Sequence, residues 1–560
     1  MKKKSIKLIN IIFIIWYPLF GVNLDSTFSL KWSNDAWGSG GLIPAGPPWS
    51  MVGPYDFDDD GFGDFIVASA YAGEFCNGVY HYEATDDDSI ELKWVYTFYD
   101  LSCTYDAYSS VAVGDIDGDS KQEVLSLVDT SPGVLGQKGL QIFEWDTDSM
   151  SFLSNPSYTS DMGLDSVWEA AQIFVENIDS DPNQEIIVSI MDGPWSLLGV
   201  GGSSRLMIFE LDTIINDSAI FHIEYEDNIS TGWSGYNISV GDLDNDGLKE
   251  IYTVAYEYFH IIIHENTAED TYEYQTDFYV TSEQYQRANQ GIIIEDIDND
   301  GSNELFCATS GVNSLSGDLI TPGSFFIVDG VSDVSGLSYA NFNLIANYTG
   351  GLRQLNFGDA DSDGNPNIYL AGHYDEAIYD WEYNGGNPLL GESYTERVLF
   401  LDDTTDNFTP GNDQGKVRVA KLFPGDIDND GQGDIVFTSA SFAADKPHIY
   451  MIEHDGVLST DKENTIIPNE FFIYQNHPNP FNPRTNIMIA LNKSTAISLK
   501  IYDTMGRLVI TLYDGLKTAG KHLFIWNGID EQNNQVSSGV YFCTLTAGSS
   551  KLTKKMVLSK

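Results

Sequence analysis

Acidic residues recur at alternate positions in seven nine-residue stretches of this 560-residue chain. The sets are Asp56, Asp58, Asp60 and Asp64; Asp115, Asp117, Asp119 and Glu123; Asn177, Asp179, Asp181 and Glu185; Asp242, Asp244, Asp246 and Glu250; Asp296, Asp298, Asp300 and Glu304; Asp359, Asp361, Asp363 and Asn367; Asp426, Asp428, Asp430 and Asp434. Positions 1, 3, 5 and 9 then offer side-chain oxygens, and a backbone carbonyl can serve at position 7. Such an all-oxygen cage suits a hard cation, and its flexible distances favour calcium over magnesium. Carboxylates packed this closely need a counterion to be tolerated. Glycine at position 6 (Gly61, Gly247, Gly301, Gly364, Gly431) permits the left-handed backbone that wraps the chain round an ion. The third stretch has Asn177 first and Pro182 at the glycine position, whose fixed φ cannot turn left-handed, so it is expected to be the weakest of up to seven sites. Ser120 in the second and Asn367 in the sixth predict weaker binding there as well.

The elements that hold these stretches are read from their flanks. A short strand-like run precedes each, as in VAVG before Asp115, and an apolar, β-branched run follows: FIVAS, VLSLV, IIVSI, IYTVA, LFCAT, IYLAG and IVFTS. A third and a fourth strand complete a unit that recurs every 54 to 67 residues. Four strands per unit, repeated radially, predict a seven-bladed β-propeller. The last unit lacks a convincing fourth strand, whereas the chain begins with an unattached one, Phe28-Ser29-Leu30-Lys31-Trp32, similar to Leu92-Lys93-Trp94 in the first unit. The N-terminal segment is therefore expected to close the ring as the outer strand of the last blade, leaving no long open edge.

Composition sets the context. Acidic residues outnumber basic ones 83 to 28, for a formal charge of -55, which argues against a nucleic-acid partner. Residues 1–21 hold four lysines and an apolar run, Ile11 to Trp16, and read as a signal peptide; no later run is long enough for a membrane helix. Residues 22–469 hold 78 acidic and 14 basic residues, whereas residues 470–560 hold five and ten. The predicted organisation is a signal peptide (1–21), an all-β seven-bladed propeller (22–454), a linker (455–469) and a small Ig-like β-sandwich (470–560).

With these features in place, residues 27–455 resemble the FG-GAP or VCBS repeats of integrin α-subunit-like propellers. That resemblance implies structural calcium loops between the first and second strands of each blade, with ligands meeting the opposite face. The C-terminal segments FFIYQNHPNPFNPRTNI, IYDTMGRLV, GKHLFIWNG, SSGVYF and KLTKKMVLSK look like a type A C-terminal sorting domain of type IX secretion cargo. This second resemblance implies recognition by the secretion machinery through residues 470–560 and export across the outer membrane to the cell surface or medium.

Evidence for a ligand is thinner. Trp37, Trp49, Trp168, Trp195 and Trp233 lie in Gly-, Pro- or Ser-rich connections expected on the face away from the acidic loops, where they could stack on sugar rings or anchor a protein; the alternative is that they plug between blades. Arg287, Arg353 and Arg418 precede acidic loops by six to nine residues and could meet an anionic ligand or pair with neighbouring acids. His260 and His264 read as two half-exposed strand histidines rather than a metal pair. Cys76 and Cys103 could pair in an oxidising compartment, while Cys307 and Cys543 look like buried thiols. No nucleophile elbow, zinc helix or phosphate loop is present. The reading is a secreted, monomeric, calcium-stabilised propeller that binds an extracellular glycan or protein in adhesion. The alternative is a polysaccharide-degrading enzyme on the same scaffold, a lyase if catalytic, with His373 and Tyr374 as the nearest candidates for acid–base work.

Overall fold

The computed structural model describes residues 25, 27–34, 48–69, 78–97, 110–128, 139–146, 151–153, 158–160, 168–179, 181, 183–192, 204–215, 218–229, 235–255, 260–280, 287–310, 323–348, 351–372, 376–402, 417–440, 447–455, 471–473, 483–491, 495–504, 506–517, 520–531, 535–547 and 550–558. The chain divides into two compact units, Met1–Val457 and Leu458–Lys560. The segments expected as signal peptide and most of the linker lie outside the described residues.

Among the described residues, the first unit is all-β and holds seven four-stranded antiparallel sheets. In five of them the four strands are consecutive, and in the second a two-stranded ribbon (Trp145–Asp146 and Ser151–Phe152) intervenes before the fourth strand. The first sheet, for example, is Pro48–Tyr55, Asp64–Ser69, Gly78–Asp86 and Ser89–Thr97. The seventh takes Val419–Gly425, Asp434–Ser439 and Ile449–His454 from the C-terminal end of the unit and Phe28–Ser33 from the other. Phe28 pairs with His454 and Ser33 with Tyr450. Asn34 extends the seam by accepting the amides of His448 and Ile449 at 2.9 and 3.0 Å.

Burial explains why the second strands read as unbroken apolar runs. Both faces of each sheet are covered, so inward and outward residues are equally apolar. Ile66 and Ala68 pack with Val111, Val124 and Phe143 of the second sheet, while their neighbours Phe65 and Val67 pack with Phe423, Val436 and Met451 of the seventh. Each consecutive pair of sheets shares one such cluster, and the seventh and first share the last, so the sheets follow one another in a closed cycle. Fully burying a side chain of this size contributes roughly 1.5–3 kcal/mol.

First strands of successive sheets lie next to one another. Ser50 Oγ accepts from the Val111 amide at 3.2 Å, Ser110 Oγ from Ile173 at 3.2 Å, and Gln354 Oε1 from Leu422 at 2.8 Å, each bond clipping one sheet to the next. Glycine ends two of these strands because nothing larger fits: a Cβ on Gly114 would lie 2.4 Å from Val175, and one on Gly358 2.5 Å from Pro424.

The second unit contains a three-stranded sheet (Phe471–Ile473, Thr485–Leu491, Gly520–Trp526) and a four-stranded one (Leu508–Lys517, Thr495–Asp503, Gly539–Ala547, Ser550–Leu558). Ile487, Ile489 and Trp526 of the former share an apolar core with Leu499, Ile501, Leu545 and Met556 of the latter. Cys543 belongs to that core, and burial pushes its thiol up to about 12; Cys307 is equally buried in the first unit.

Candidate cation sites

Each acidic stretch forms the tight connection between the first and second strands of its sheet. In the six loops other than the third, the shape is fixed by two left-handed residues. Position 6 has φ of 90° at Gly61, 93° at Gly247 and 92° at Gly301, and Ser120 adopts 71° at the same place. Position 4 is also left-handed, at Asp59, Gly118, Asn245, Asn299, Ser362 and Asn429. Apart from Ser362 these are types that tolerate that region best, a preference that the composition of position 4 carries in the sequence.

Side chains then hold the backbone. In the fourth loop Asp242 accepts the amides of Asp246 and Gly247 at 3.1 and 3.0 Å, and Asp246 accepts that of Leu248 at 2.8 Å. The bond from position 7 to the carboxylate at position 5 is present in all seven loops. Glu250, at position 9, accepts the amide of Leu243 at 2.9 Å, and the corresponding bond recurs at Asp64, Glu123, Glu185, Glu304 and Asp434. Asp244 takes one partner from the following sheet, the amide of Val334 at 3.0 Å. Asp179 and Asp428 do the same with the amides of Asp270 and Asp88.

Those bonds use only part of the oxygen supply. Glu250, Glu185 and Asp434 are fully buried, and one carboxylate oxygen of each has no hydrogen-bond partner; the same holds for one oxygen of Asp115, Asp244 and Asp428. Ligand oxygens of Asp242, Asp244, Asp246 and Glu250 lie within 4.8 Å of one another, as do those of Asp115, Asp117, Asp119 and Glu123. Burial first, and the neighbouring loop carboxylates after it, push the carboxyls of Glu123, Glu185, Glu250, Glu304 and Asp434 up to about 8. A hard cation at the centre would supply what these orphaned oxygens lack.

A further acid was not legible beforehand. Glu83 lies directly across from Asp64, Glu265 from Glu250, Glu382 from Asn367 and Glu453 from Asp434, all on third strands. Variable second-to-third connections blur its spacing in the sequence, although each third-strand run ends near an acid.

Three loops depart from the pattern. In the first, His81 Nε2 lies 2.6 Å from Asp64 Oδ1, with both side chains buried. In the third, the Asn177 amide donates to the carbonyls of Asp181 and Asn183, turning donors toward the centre where other loops turn acceptors. In the sixth, Arg397 lies among Asp361, Asp380 and Glu382. Lysines also reach third-strand acids: Lys93 lies 3.3 Å from Glu83 and Lys31 2.5 Å from Glu453.

The remaining candidates are less informative. Trp49 and Trp168 belong to first strands rather than to connections, Trp49 at a register shift that lengthens the strand by a residue; their side chains lie outside the described residues, as do Trp37, Trp195 and Trp233 entirely. Arg287 begins a first strand, and its side chain is likewise outside. Arg353 and Arg418 are buried rather than displayed, with Arg353 adding to the burial that lowers the Lys421 amine to about 7. Nor are the histidines half-exposed: His260 and His264 are buried and spend Nε2 on Asp277 and Asp227, at 2.8 and 3.0 Å, because each strand face packs against a neighbour. Cys76, Cys103, His373 and Tyr374 lie outside the described residues.

Comparison with known proteins identifies the C-terminal segment. Residues 475–559 match the family described as the secretion system C-terminal sorting domain. A chain carrying that domain is exported through the outer membrane to the cell surface or extracellular space, and recognition by the secretion machinery follows from it. No helix among the described residues is long and apolar enough to cross a membrane. No curated protein sequence matches the chain. Among solved structures, the periplasmic gluconolactonase PpgL of Pseudomonas aeruginosa is similar at 14% identity and a TM-score of 0.36, covering 72% of this chain and 99% of its own.

Proposed function

We propose that residues 27–455 form a calcium-stabilised, seven-bladed β-propeller of the FG-GAP or VCBS type, which the C-terminal domain delivers to the cell surface as an adhesion or glycan- and protein-binding module. The observation that carries the calcium reading is the recurrent, fully buried carboxylate at position 9, whose second oxygen is orphaned in Glu185, Glu250 and Asp434. Only oxygen donors surround it in the fourth loop, a set that suits calcium better than a transition metal. The cyclic order of seven sheets supports the propeller. On this reading calcium holds the scaffold, and ligand recognition belongs to the opposite ends of the strands.

The test is a screen of the exported protein against neutral glycans, uronate polymers and surface proteins, in millimolar calcium and in chelator. Retention without new reducing or unsaturated chain ends is the expected result. Appearance of such ends would replace the binding module with a polysaccharide-degrading enzyme, and failure to retain anything would remove the glycan and protein reading.

A further inference from the structure

Arg397, in the strand Tyr394–Leu401, reaches into the acidic cluster of the sixth loop. Its Nη2 lies 2.8 Å from Asp361 Oδ2, 2.6 Å from Asp380 Oδ2 and 2.9 Å from Glu382 Oε2, and Nη1 lies 3.6 Å from Asp25 Oδ2. Nε donates to Asp380 Oδ2 at 2.7 Å. Asp361 is the third position of the loop, and Glu382 stands across from its ninth. The guanidinium therefore occupies the interval between groups whose counterparts in the fourth loop, Asp244 and Glu265, have no arginine or lysine between them among the described residues.

Two further changes accompany it. The ninth residue is the neutral, fully buried Asn367, which turns its amide donor to Asp380 Oδ1 at 2.8 Å. The amide of Ala360, whose counterparts in the other six loops bond a ninth-position carboxylate, donates to the Tyr369 hydroxyl at 2.8 Å. One carboxylate charge is thus lost, leaving the Asn367 carbonyl oxygen alone at the ninth position, its backbone partner is reassigned, and a fixed positive charge stands among the remaining acids. A divalent ion entering the loop would meet that charge at close range and would compete for Asp361.

We propose that Arg397 is a tethered counterion that takes the place of the divalent cation in the sixth loop, so this loop is held closed without metal. The inference rests on the calcium reading of the other loops. It is tested by native mass spectrometry of the full chain equilibrated with calcium, counting ions on the wild type and three variants. Asp246→Asn, in the fourth loop, loses one ion; Asp363→Asn, an exposed change in the sixth, loses none; Arg397→Gln gains one. Should Arg397→Gln fail to fold, Asp363→Asn carries the test alone. Loss of an ion from Asp363→Asn, or a folded Arg397→Gln with an unchanged count, overturns the inference and leaves the calcium reading standing. A wild type without bound calcium overturns both, and Asp246→Asn then changes nothing.

Discussion

The fourth and sixth loops carry the same three aspartates at positions 1, 3 and 5, and both wrap the first aspartate round the amides of positions 5 and 6. At the centre they diverge. The fourth closes on Glu250, whose carboxyl burial and nearby aspartates drive up to about 8, with one oxygen orphaned. The sixth closes on Asn367, and Arg397 restrains the equally buried Asp380, which rises only to about 6. The contrast separates two jobs that a bound metal would perform together, shaping the loop and neutralising it. Backbone hydrogen bonds and left-handed residues can do the first; the second takes a cation, free or tethered, or protonation of the carboxyls.

Removing divalent ions is the strongest way to break the equivalence. A site filled at a hundredfold excess over its Kd adds roughly 2.7 kcal/mol, so four or five such sites add on the order of 10 kcal/mol. Chelation should therefore lower the melting temperature of the first unit sharply. Hydrogen exchange should localise the effect, with amides of residues 242–250 exchanging orders of magnitude faster while those of residues 359–367 hold their rates. Equal acceleration in both loops would erase the distinction.

Arg397→Gln makes the complementary break and comes next in size. It leaves the fully buried Asp380 and the half-buried Glu382 without their cation, and breaking a buried pair typically costs about 3–5 kcal/mol. Denaturant unfolding in chelator should show that cost, and added calcium should recover part of it. The matched change at Lys31, which lies 2.5 Å from the fully buried Glu453, 2.9 Å from Asp455 and 3.6 Å from Asp88, should cost less because Asp455 and Asp88 remain partly hydrated and only Glu453 is left buried without its cation.

How far this contrast was legible beforehand depends on distance along the chain. The loops repeat within nine residues, and their glycines and alternating acids state the local geometry outright. Closure by Phe28–Ser33 was legible too, because the segment repeats the FSLKW-like pattern of an outer strand. Arg397 was not: it stands 30 residues beyond Asn367, on a fourth strand, and nothing local marks it as facing a loop rather than solvent. Third-strand acids such as Glu83 and Glu265 were hidden in the same way. Trp49 was misplaced because a bulge extends its strand into a Pro-rich stretch that otherwise reads as a connection.

Acidity should sharpen the comparison further. Carboxyls raised from 4.5 to about 8, as at Glu250 and Glu304, bind more protons folded than unfolded throughout that interval. In chelator the first unit should therefore lose stability as pH rises from about 5 to about 8. Saturating calcium should reverse the slope, because protons must then displace the ion. Asp380 and Glu382, at about 6 and about 7, should stop contributing earlier in the interval. Melting curves across pH in both buffers check the reversal, and a common slope with and without calcium would contradict it.

The smallest effect concerns the backbone alone. Ser120 holds φ of 71° at the position where five other loops have glycine, and it is exposed, so its cost is conformational rather than steric. A left-handed conformation costs a residue with a Cβ about 1–2 kcal/mol, offset by roughly 0.5–1 kcal/mol of extra chain entropy that glycine loses on folding. Ser120→Gly should therefore stabilise the first unit by about 0.5–1 kcal/mol, with or without calcium, since it alters neither the oxygens of Asp115, Asp117, Asp119 and Glu123 nor their charge. Gly247→Ser in the fourth loop should cost a similar amount. A gain from Ser120→Gly that appeared only in calcium would mean that the left-handed turn forms with the ion, and that loop shape and neutralisation are one event rather than two.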